Sequence, residues 1–318
     1  MDKVSVIIPT HKGSDRILVT VNSVLNQTYK NLEVIVVDDN GEGSLEQVKT
    51  FKALEELIKN KLVLYIAHQK NINGSAARNT GFSVSKGDFI CFLDDDDYLL
   101  PNKIMNQLSC FKKSNNDIGA VICGTYFVNE DGIGDAIMPE WDEKHIQRDY
   151  LCERMKFNTS AMLIKRELVK MLDGFDVTFR RHQDLEFCLR LMCLSKIKLC
   201  SEFLLIKFAV GRNYPASPQI AVGQYAYFES RMSKYLDELY IEDKVTIQCY
   251  HKKRLLKLFF IKLDFNGMYG FIREQDVSCT VAFCAVVELL KQAFFKFTKR
   301  KLKHTLTFDE YRKLNCEG

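Results

Sequence analysis

The fold of this chain is decided by the stretch Asp88-Phe89-Ile90-Cys91-Phe92-Leu93-Asp94-Asp95-Asp96-Asp97, where an apolar run leads directly into four consecutive aspartates. An unbroken apolar run of this kind is typical of a strand that is buried on both faces of a parallel sheet. Four adjacent carboxylates repel one another, so they are costly at a strand end unless water or a cation neutralises them. The stretch therefore predicts a buried strand whose carboxyl end carries a polar site.

Three further apolar runs precede this stretch, and segments with helical periodicity separate them. The apolar runs are 4–8, 33–37 and 62–66, and the helical segments are 14–28, 45–59 and 75–85. Strands that alternate with helices predict a mainly parallel sheet with helices on both faces. In such sheets, ligands bind beyond the carboxyl ends of the strands. That edge carries Pro9-Thr10, Asp38-Asp39 and the four aspartates, so we expect a ligand site there.

The pattern changes along the rest of the chain. Residues 118–128 and 160–164 are typical of strands, 184–194 of a helix, and from about residue 222 the signal is mostly helical. With 47% hydrophobic and 27% charged residues over 318 positions, the composition is that of a folded protein. We predict an α/β domain over residues 1–220 and a helical C-terminal region over residues 221–318.

Composition also limits the cellular setting. No run approaches the 18 or so consecutive apolar residues that a membrane-spanning helix needs. Residues 1–4 lack the basic region and apolar core of a signal peptide. The 11 cysteines are odd in number and contain no Cys-x-x-Cys pair, which is typical of reduced thiols rather than of a disulfide framework. These features predict a cytosolic protein.

The glycine loops that usually hold nucleotide phosphates are missing. No Gly-x-Gly-x-x-Gly follows the first predicted strand, and Gly81 to Gly87 inverts the Gly-Lys order of a P-loop. A diphosphate can instead be held by a divalent cation that carboxylates of the protein bind. Asp94 and Asp96 lie two residues apart and point the same way in an extended segment. The alternative is a solvated acidic turn that caps a helix beginning near Pro101.

Five segments of the chain, taken in order, resemble family 2 glycosyltransferases. They are Ser5 to Thr10, Ser23 to Tyr29, Glu33 to Asp39, Gly74 to Asn79, and Gly87 to Asp97 followed by Pro101. The resemblance covers roughly residues 3–210. It implies a GT-A fold, Rossmann-like with a mainly parallel sheet, and transfer of a sugar with inversion from a nucleotide-sugar donor, here a UDP-sugar, with Mn²⁺ or Mg²⁺ as cofactor.

The resemblance also implies roles for particular residues on the donor side. Pro9 and Thr10 would line the uridine pocket, Asp39 would accept hydrogen bonds from uracil or ribose, Arg78 would lie near the base or diphosphate, Asp94 and Asp95 would orient the ribose and a metal-bound water, and Asp96 would bind the metal. Since the aspartate run is longer than the usual Asp-x-Asp-Asp of the family, Asp97 is assigned to capping the next helix.

On the acceptor side, the segment from Gln183 to Arg190 resembles the family's Glu-Asp motif, with an arginine six residues after the aspartate. Gln183 replaces the usual glutamate. An inverting displacement needs a general base beside the acceptor hydroxyl, and the resemblance assigns this role to Asp184. The alternative for Asp184 is N-capping of the following helix, which is compatible with its role as a base, and Glu186 is a distant second candidate.

Basic residues are concentrated near the C-terminus. Residues 251–304 hold 12 Lys and Arg against 4 Asp and Glu, and large apolar residues are interleaved with them. Helices of this kind are suited to bind an anionic membrane surface. The alternative is that they are ordinary helices packed on the catalytic domain.

The expected partners of the protein follow from these features. No nucleic-acid-binding module is present, so we expect no nucleic-acid partner. Together with the resemblance to family 2 glycosyltransferases, the basic tail implies a glycan or lipid-linked oligosaccharide acceptor at the inner face of the cell membrane, and the resemblance implies O-antigen or capsule assembly as the setting. A nucleotidyltransferase and an inactive sugar-nucleotide-binding module are the alternatives.

Overall fold

A computed structural model of the chain describes residues 2–114, 117–129, 132–208 and 217–299. The strands are β1 (Val4–Thr10), β2 (Leu32–Asp38), β3 (Leu64–Ala67), β4 (Phe89–Phe92), β5 (Asp97–Leu99), β6 (Ile118–Asn129), β7 (Gly132–Ile137), β8 (Met162–Lys165) and β9 (Lys196–Phe208). The helices are α1 (Ile17–Leu25), α2 (Leu45–Lys59), α3 (Gly74–Val84), α4 (Lys103–Lys112), α5 (Ile146–Leu151), α6 (Arg166–Met171), α7 (Gln183–Leu194), α8 (Pro218–Asp237), α9 (Ile241–Ile261), α10 (Phe265–Glu274) and α11 (Cys279–Lys299). Short 3₁₀ helices span Glu143–His145 and Thr159–Ala161.

The strands form one sheet in the order β3-β2-β1-β4-β8-β6-β9-β5, and β7 pairs with β6. The half built from β3, β2, β1 and β4 is parallel, as the alternating pattern predicts. The other half is mixed, because β8 runs antiparallel to β4 and β6 while β9 runs parallel to β6. Every residue of β1 is buried, which explains why its sequence is an apolar run without alternation.

The helix α3 packs closely on the parallel half of the sheet. A side chain at Gly81 would place its Cβ 2.3 Å from the Ile7 side chain, so only glycine permits this approach. The helix begins at an Asn73 cap whose side chain accepts a hydrogen bond from the Ala76 amide at 2.9 Å. Cap and glycine together fix how the N-terminus of α3 presents its residues at the carboxyl edge of the sheet.

The chain divides into two units. The α/β unit comprises residues 1–140 and 156–210, and the helical unit comprises residues 141–155 and 211–318. Within the helical unit, the segment 141–155 is joined to α9 by buried polar contacts: His145 Nδ1 lies 2.8 Å from Asp243 Oδ2, and Arg148 bonds the same carboxylate. The sequence pattern gives no sign that this segment joins the C-terminal helices, and the boundary at residue 220 stays a prediction.

The helical unit has its own apolar core. Buried side chains of α8, α9, α10 and α11 form it, among them Tyr225, Leu255, Phe259, Phe271 and Ala285. Among the described residues, no helix combines the length and apolar character needed to cross a bilayer. Residues 300–304, the end of the basic segment, lie outside the described residues.

Candidate active site

The four aspartates form a tight turn between β4 and β5 at the carboxyl edge of the sheet. The Asp97 amide donates a hydrogen bond to the Asp94 carbonyl at 3.1 Å, which closes the turn. Oxygen atoms of Asp94, Asp96 and Asp97 all lie within 4.8 Å of one another. Asp97 is fully buried, whereas Asp94 and Asp96 are partly exposed. We call these three side chains the acidic cluster.

A lysine from the last strand reaches into the acidic cluster. In the antiparallel pairing of β5 with β9, Lys207 lies directly opposite Asp97. Its Nζ atom is 3.1 Å from both oxygens of Asp97 and 3.2 Å from Oδ2 of Asp94. Asn158 also donates to Asp97, at 3.3 Å. The cluster is therefore partly neutralised by the protein itself.

Asp97 does not cap a helix, so the sequence-based assignment of that residue is wrong. The helix α4 begins after Asn102, and no side chain caps it. Asp97 instead begins β5, where its carboxylate is 0% exposed and bonded to Lys207. A buried carboxylate needs a paired cation, and the cross-strand register supplies one here.

The charges around the acidic cluster shift its pKa values in different directions. Burial would raise the pKa of Asp94, but Lys207 and Arg78 outweigh it and lower this pKa to about 2. Burial raises the pKa of Asp97 in spite of Lys207. Burial alone would lower the pKa of Lys207, but Asp97 and Asp94 raise it above its ordinary value. Lys207 is thus a permanent cation within this cluster.

Arg78 connects the acidic cluster to the helix α7. Its guanidinium group donates to Asp94 Oδ1 at 2.8 Å and to Gln183 Oε1 at 3.2 Å. The guanidinium also lies over the Phe175 ring, 5.2 Å from the ring centre. Arg78 is only 8% exposed, so these contacts hold it in one orientation.

Asp184 lies in the first turn of α7 and is partly buried. Burial raises its pKa, whereas Arg78 lowers it and the neighbouring Asp94 raises it further. The hydroxyl of Thr159 also acts on this carboxylate and lowers its pKa. The structure therefore brings Asp184 close to Arg78 and Asp94, although about 90 residues separate it from the aspartate run. A carboxylate with a raised pKa is suited to accept a proton.

Glu186, the second candidate base, is committed to a structural role. It is 2% exposed and forms an ion pair with Arg190 one turn along α7. Arg190 also donates to the carbonyls of Leu172 at 2.6 Å and Gly174 at 2.8 Å. The pair anchors the loop before α7, so the geometry favours Asp184 over Glu186 as a base.

The same loop is attached to α3 by a pair of hydrogen bonds. The Asn79 amide donates to the Phe175 carbonyl at 2.8 Å and accepts from the Phe175 amide at 2.9 Å. Gly174 has a φ of +68°, and a Cβ atom there would lie 2.4 Å from Asn79 Oδ1. Only glycine satisfies both the dihedral angle and the space. These contacts fix α7 relative to α3, and hence Asp184 relative to Arg78.

The last residue of β1, Thr10, contacts Asp95, the second of the four consecutive aspartates. Thr10 donates its hydroxyl proton to Asp95 Oδ2 at 2.5 Å, and Pro9 before it is buried in the strand. A Cβ atom at Gly13 would lie 2.0 Å from Asp95 Oδ2, so the loop after β1 closes tightly on this carboxylate. Burial raises the pKa of Asp95 to about 6, with Thr10 opposing the shift. Asp95 therefore links β1 to the aspartate turn.

Asp39 lies in a different network at the end of β2. It is 2% exposed and accepts hydrogen bonds from Asn71 Nδ2 and the Ile72 amide, both at 2.9 Å. His68 Nδ1 lies 2.7 Å from the same carboxylate, and its Nε2 lies 2.9 Å from the Thr80 hydroxyl. Asp39 thus organises the loop that leads into α3.

The acidic cluster is chemically suited to hold a divalent metal ion. Its three carboxylates offer hard oxygen donors within one turn, the ligand type that Mg²⁺ and Mn²⁺ prefer. The sequence assignment of Asp96 is compatible with this arrangement, and the cluster adds Asp94 and Asp97 as possible ligands.

The structure brings most of the sequence-predicted residues to one edge of the sheet. Thr10, Arg78, Asp94, Asp95, Asp96 and Asp184 meet there, directly or through one intervening side chain. Sequence reasoning missed Lys207 and also the contact of Ser160 with the acidic cluster, in which the Ser160 hydroxyl accepts a hydrogen bond from the Asp94 amide at 3.1 Å. A lone lysine in the apolar run from Leu204 to Phe208 was the available signal for Lys207.

Comparison with known proteins identifies the class to which this fold and site belong. The family model described as "Glycosyl transferase family 2" matches residues 5–181, more than half of the chain. The chain therefore belongs to glycosyl transferase family 2, and the resemblance stated from the sequence is confirmed.

Two relatives illustrate the similarity in sequence. The chain is 31% identical over 191 residues to the amylovoran biosynthesis glycosyltransferase AmsB of Erwinia amylovora, covering 58% of this chain and 62% of the relative. It is 37% identical over 108 residues to the UDP-Glc:alpha-D-GlcNAc-diphosphoundecaprenol beta-1,3-glucosyltransferase WfaP of Escherichia coli, covering 34% of this chain and 41% of the relative. The chain thus spans less than two thirds of the length of either relative.

Solved structures agree with the fold. TarS of S. aureus, residues 1–349 in complex with UDP-GlcNAc, superposes with a TM-score of 0.56 at 17% identity, covering 80% of this chain and 81% of TarS. The mannosyltransferase PcManGT from Pyrobaculum calidifontis, in complex with GDP-Man and Mn²⁺, gives 0.58 at 14% identity, covering 93% and 81%. The expected GT-A fold is confirmed.

Proposed function

We propose that this protein is a metal-dependent, inverting hexosyltransferase that moves a sugar from a UDP-sugar to a glycan acceptor in the synthesis of a cell-surface polysaccharide. The observation that carries the proposal is the meeting of Asp184, Arg78 and the acidic cluster at one edge of the sheet. A base, a cation and a metal-binding set of carboxylates are the three parts that the reaction needs.

The comparisons support the proposal in its separate parts. TarS was solved with UDP-GlcNAc, which favours a UDP-sugar donor, and PcManGT was solved with Mn²⁺, which favours a metal. AmsB and WfaP are named for amylovoran biosynthesis and for glucosyl transfer to a GlcNAc-diphosphoundecaprenol. These names motivate a polysaccharide precursor on a lipid carrier as the acceptor.

On the donor side, the residues at the carboxyl edge of the sheet would either contact the UDP-sugar or hold the loops that surround it. Pro9 and Thr10 would line the uridine pocket, and Asp39, which also holds the loop from His68 to Ile72, would accept hydrogen bonds from uracil or ribose. Asp94 and Asp95 would orient the ribose and, where a divalent ion is bound, its water. The acidic cluster, with Asp96 as its most accessible ligand, would hold a divalent ion, which neutralises charge on the diphosphate when bound.

On the acceptor side, Asp184 acts as the general base. It removes the proton from the acceptor hydroxyl while the hydroxyl oxygen forms a bond to the anomeric carbon. The bond from that carbon to the diphosphate oxygen breaks, and the diphosphate leaves with the electron pair. Because attack and departure occur on opposite faces, the configuration at the anomeric carbon inverts. Arg78 stabilises the negative charge that develops on the leaving group.

Release of UDP from UDP-sugars tests the enzymatic proposal. We expect slow UDP release without acceptor, faster release with a glycan acceptor, and loss of both when the divalent metal is chelated. Coupled-enzyme detection of UDP across several UDP-sugars measures this. A nucleotidyltransferase would instead release no UDP and would form UTP and a sugar phosphate from the UDP-sugar when pyrophosphate is added. An inactive binding module would bind the UDP-sugar without releasing UDP. Either result would refute the proposal.

We further propose that the helical unit associates with anionic membranes, so that the enzyme is peripheral at the inner face of the cell membrane. Exposed apolar side chains are grouped between the end of α9 and the middle of α10: Ile261 (53% exposed), Leu263 (71%), Phe265 (51%) and Tyr269 (69%). Lys262 is exposed among them. Apolar residues beside a lysine are typical of a helix surface that lies in a membrane interface.

Flotation with anionic liposomes tests the membrane proposal. Leu263 has a φ of +57°, a conformation that asparagine adopts more readily than leucine. Leu263→Asn therefore replaces the apolar side chain with a polar one without adding backbone strain. Together with Phe265→Gln, it should weaken liposome binding about tenfold or more, since each change withdraws buried apolar area. Leu45→Gln is the matched control, because Leu45 is 70% exposed in the α/β unit. Absence of wild-type binding at low salt would refute association.

A further inference from the structure

We propose that Lys207 is a built-in counter-ion of the acidic cluster and that it competes with a divalent cation for the carboxylates of Asp94 and Asp97. The inference rests on the metal site of the proposed function and extends it to a residue that the sequence did not single out. It follows from the cross-strand register, which places Lys207 directly opposite Asp97 on the neighbouring strand.

The oxygens that a metal would use are already engaged. Lys207 Nζ contacts both oxygens of Asp97 and Oδ2 of Asp94, all within 3.2 Å. Arg78 engages the remaining oxygen of Asp94 at 2.8 Å. A metal ion bound to the same carboxylates would have to share these oxygens with the ammonium group or displace it.

Asp96 differs from the other two members of the cluster. Its side chain is 34% exposed, and among the described residues it forms an ion pair with Arg16, whose NH1 atom is 3.9 Å from Asp96 Oδ2. Asp96 is therefore the carboxylate most available to an incoming metal ion. Binding would begin at Asp96, and recruitment of Asp94 and Asp97 would require Lys207 to withdraw.

This arrangement gives Lys207 two opposing effects. Without metal, it stabilises the fold, because it pairs with the buried carboxylate of Asp97 and shares Asp94 with Arg78, which alone would face two neighbouring carboxylates if Lys207 were removed. With metal, it weakens binding, because the ammonium group repels a divalent ion at contact distance. Removal of Lys207 should therefore make the protein less stable without metal and more responsive to metal.

The test compares wild type with Lys207→Met by calorimetric titration with Mn²⁺ alone and by thermal unfolding with and without Mn²⁺. We expect Lys207→Met to unfold at a lower temperature without metal and to bind Mn²⁺ about tenfold more tightly, since one positive charge is removed beside the site. Its unfolding temperature should rise more with Mn²⁺ than that of wild type, because tighter binding to the folded state stabilises it more. Lys196→Met is the matched control: Lys196 lies on the same strand, but its partner is the exposed Asp117 at 2.7 Å.

A second pair of variants covers the case in which Lys207→Met does not fold. Asp97→Asn and Asp97→Asn/Lys207→Met remove the buried charge that would be left unpaired, and the double variant should again bind Mn²⁺ more tightly than the single one. Equal or weaker Mn²⁺ binding after removal of Lys207, in either background, would overturn the inference. If that result accompanied metal-dependent UDP release by wild type, the proposed function would stand and only the role of Lys207 would fall.

Discussion

Replacement of Asp96 with alanine is expected to lower sugar transfer about a thousandfold or more, because loss of the proposed metal ligand would remove charge stabilisation worth several kcal/mol at the leaving diphosphate. The fold should survive, since the Asp96 side chain is partly exposed and its ion pair with Arg16 spans 3.9 Å. Affinity for UDP in the presence of Mn²⁺ should fall together with the rate. Calorimetric titration with UDP and Mn²⁺, combined with UDP-release assays, measures both quantities.

Asp117→Ala is the matched control for this variant. Asp117 is an exposed aspartate that immediately precedes β6, and it pairs with Lys196 rather than with the acidic cluster. It should leave both the rate and UDP affinity near wild type. Wild-type affinity for Mn²⁺ and UDP in Asp96→Ala would show that the metal ligand is elsewhere.

Asp184→Asn should reduce transfer by about two to four orders of magnitude, the usual contribution of a general base. Asparagine keeps the shape of the side chain but cannot accept the proton. In contrast with Asp96→Ala, affinity for UDP and Mn²⁺ should remain near wild type, since the proposed role of Asp184 is on the acceptor side. Equal loss of UDP affinity in the two variants would contradict this division of roles.

The pH dependence of Asp184 gives an independent check. Burial raises the pKa of Asp184, so transfer should decline on the acid side at a higher pH than an ordinary aspartate would cause. The same shift means that the folded state loses stability as the pH rises from the ordinary pKa of an aspartate to the raised pKa of Asp184, and that the loss is complete above the raised pKa. Asp184→Asn should therefore be at least as stable as wild type near neutral pH, which circular dichroism during thermal unfolding measures. A destabilised variant would indicate that its lost activity reflects its fold.

The parallel half of the sheet could be predicted from short apolar runs in the sequence. The apolar runs that became β1, β2 and β4 are buried on both faces, so their burial is visible in composition alone. The strand β9 was not predicted, because its burial alternates irregularly with exposed and charged residues. Its place in the sheet depends on pairing with β6 and β5, which no local pattern encodes.

The sequence by itself determined the class of fold and the type of chemistry, since β1, β2, the aspartate run and the segment around Asp184 each carry a local signature. Only the tertiary structure decided how these parts meet. It placed Lys207 opposite Asp97, committed Glu186 to Arg190, and turned Asp97 from an expected helix cap into a buried strand residue. The physical reason is range: periodicity and capping act over a few residues, whereas the partner of a buried charge is chosen by strand register, here across 110 positions of the chain.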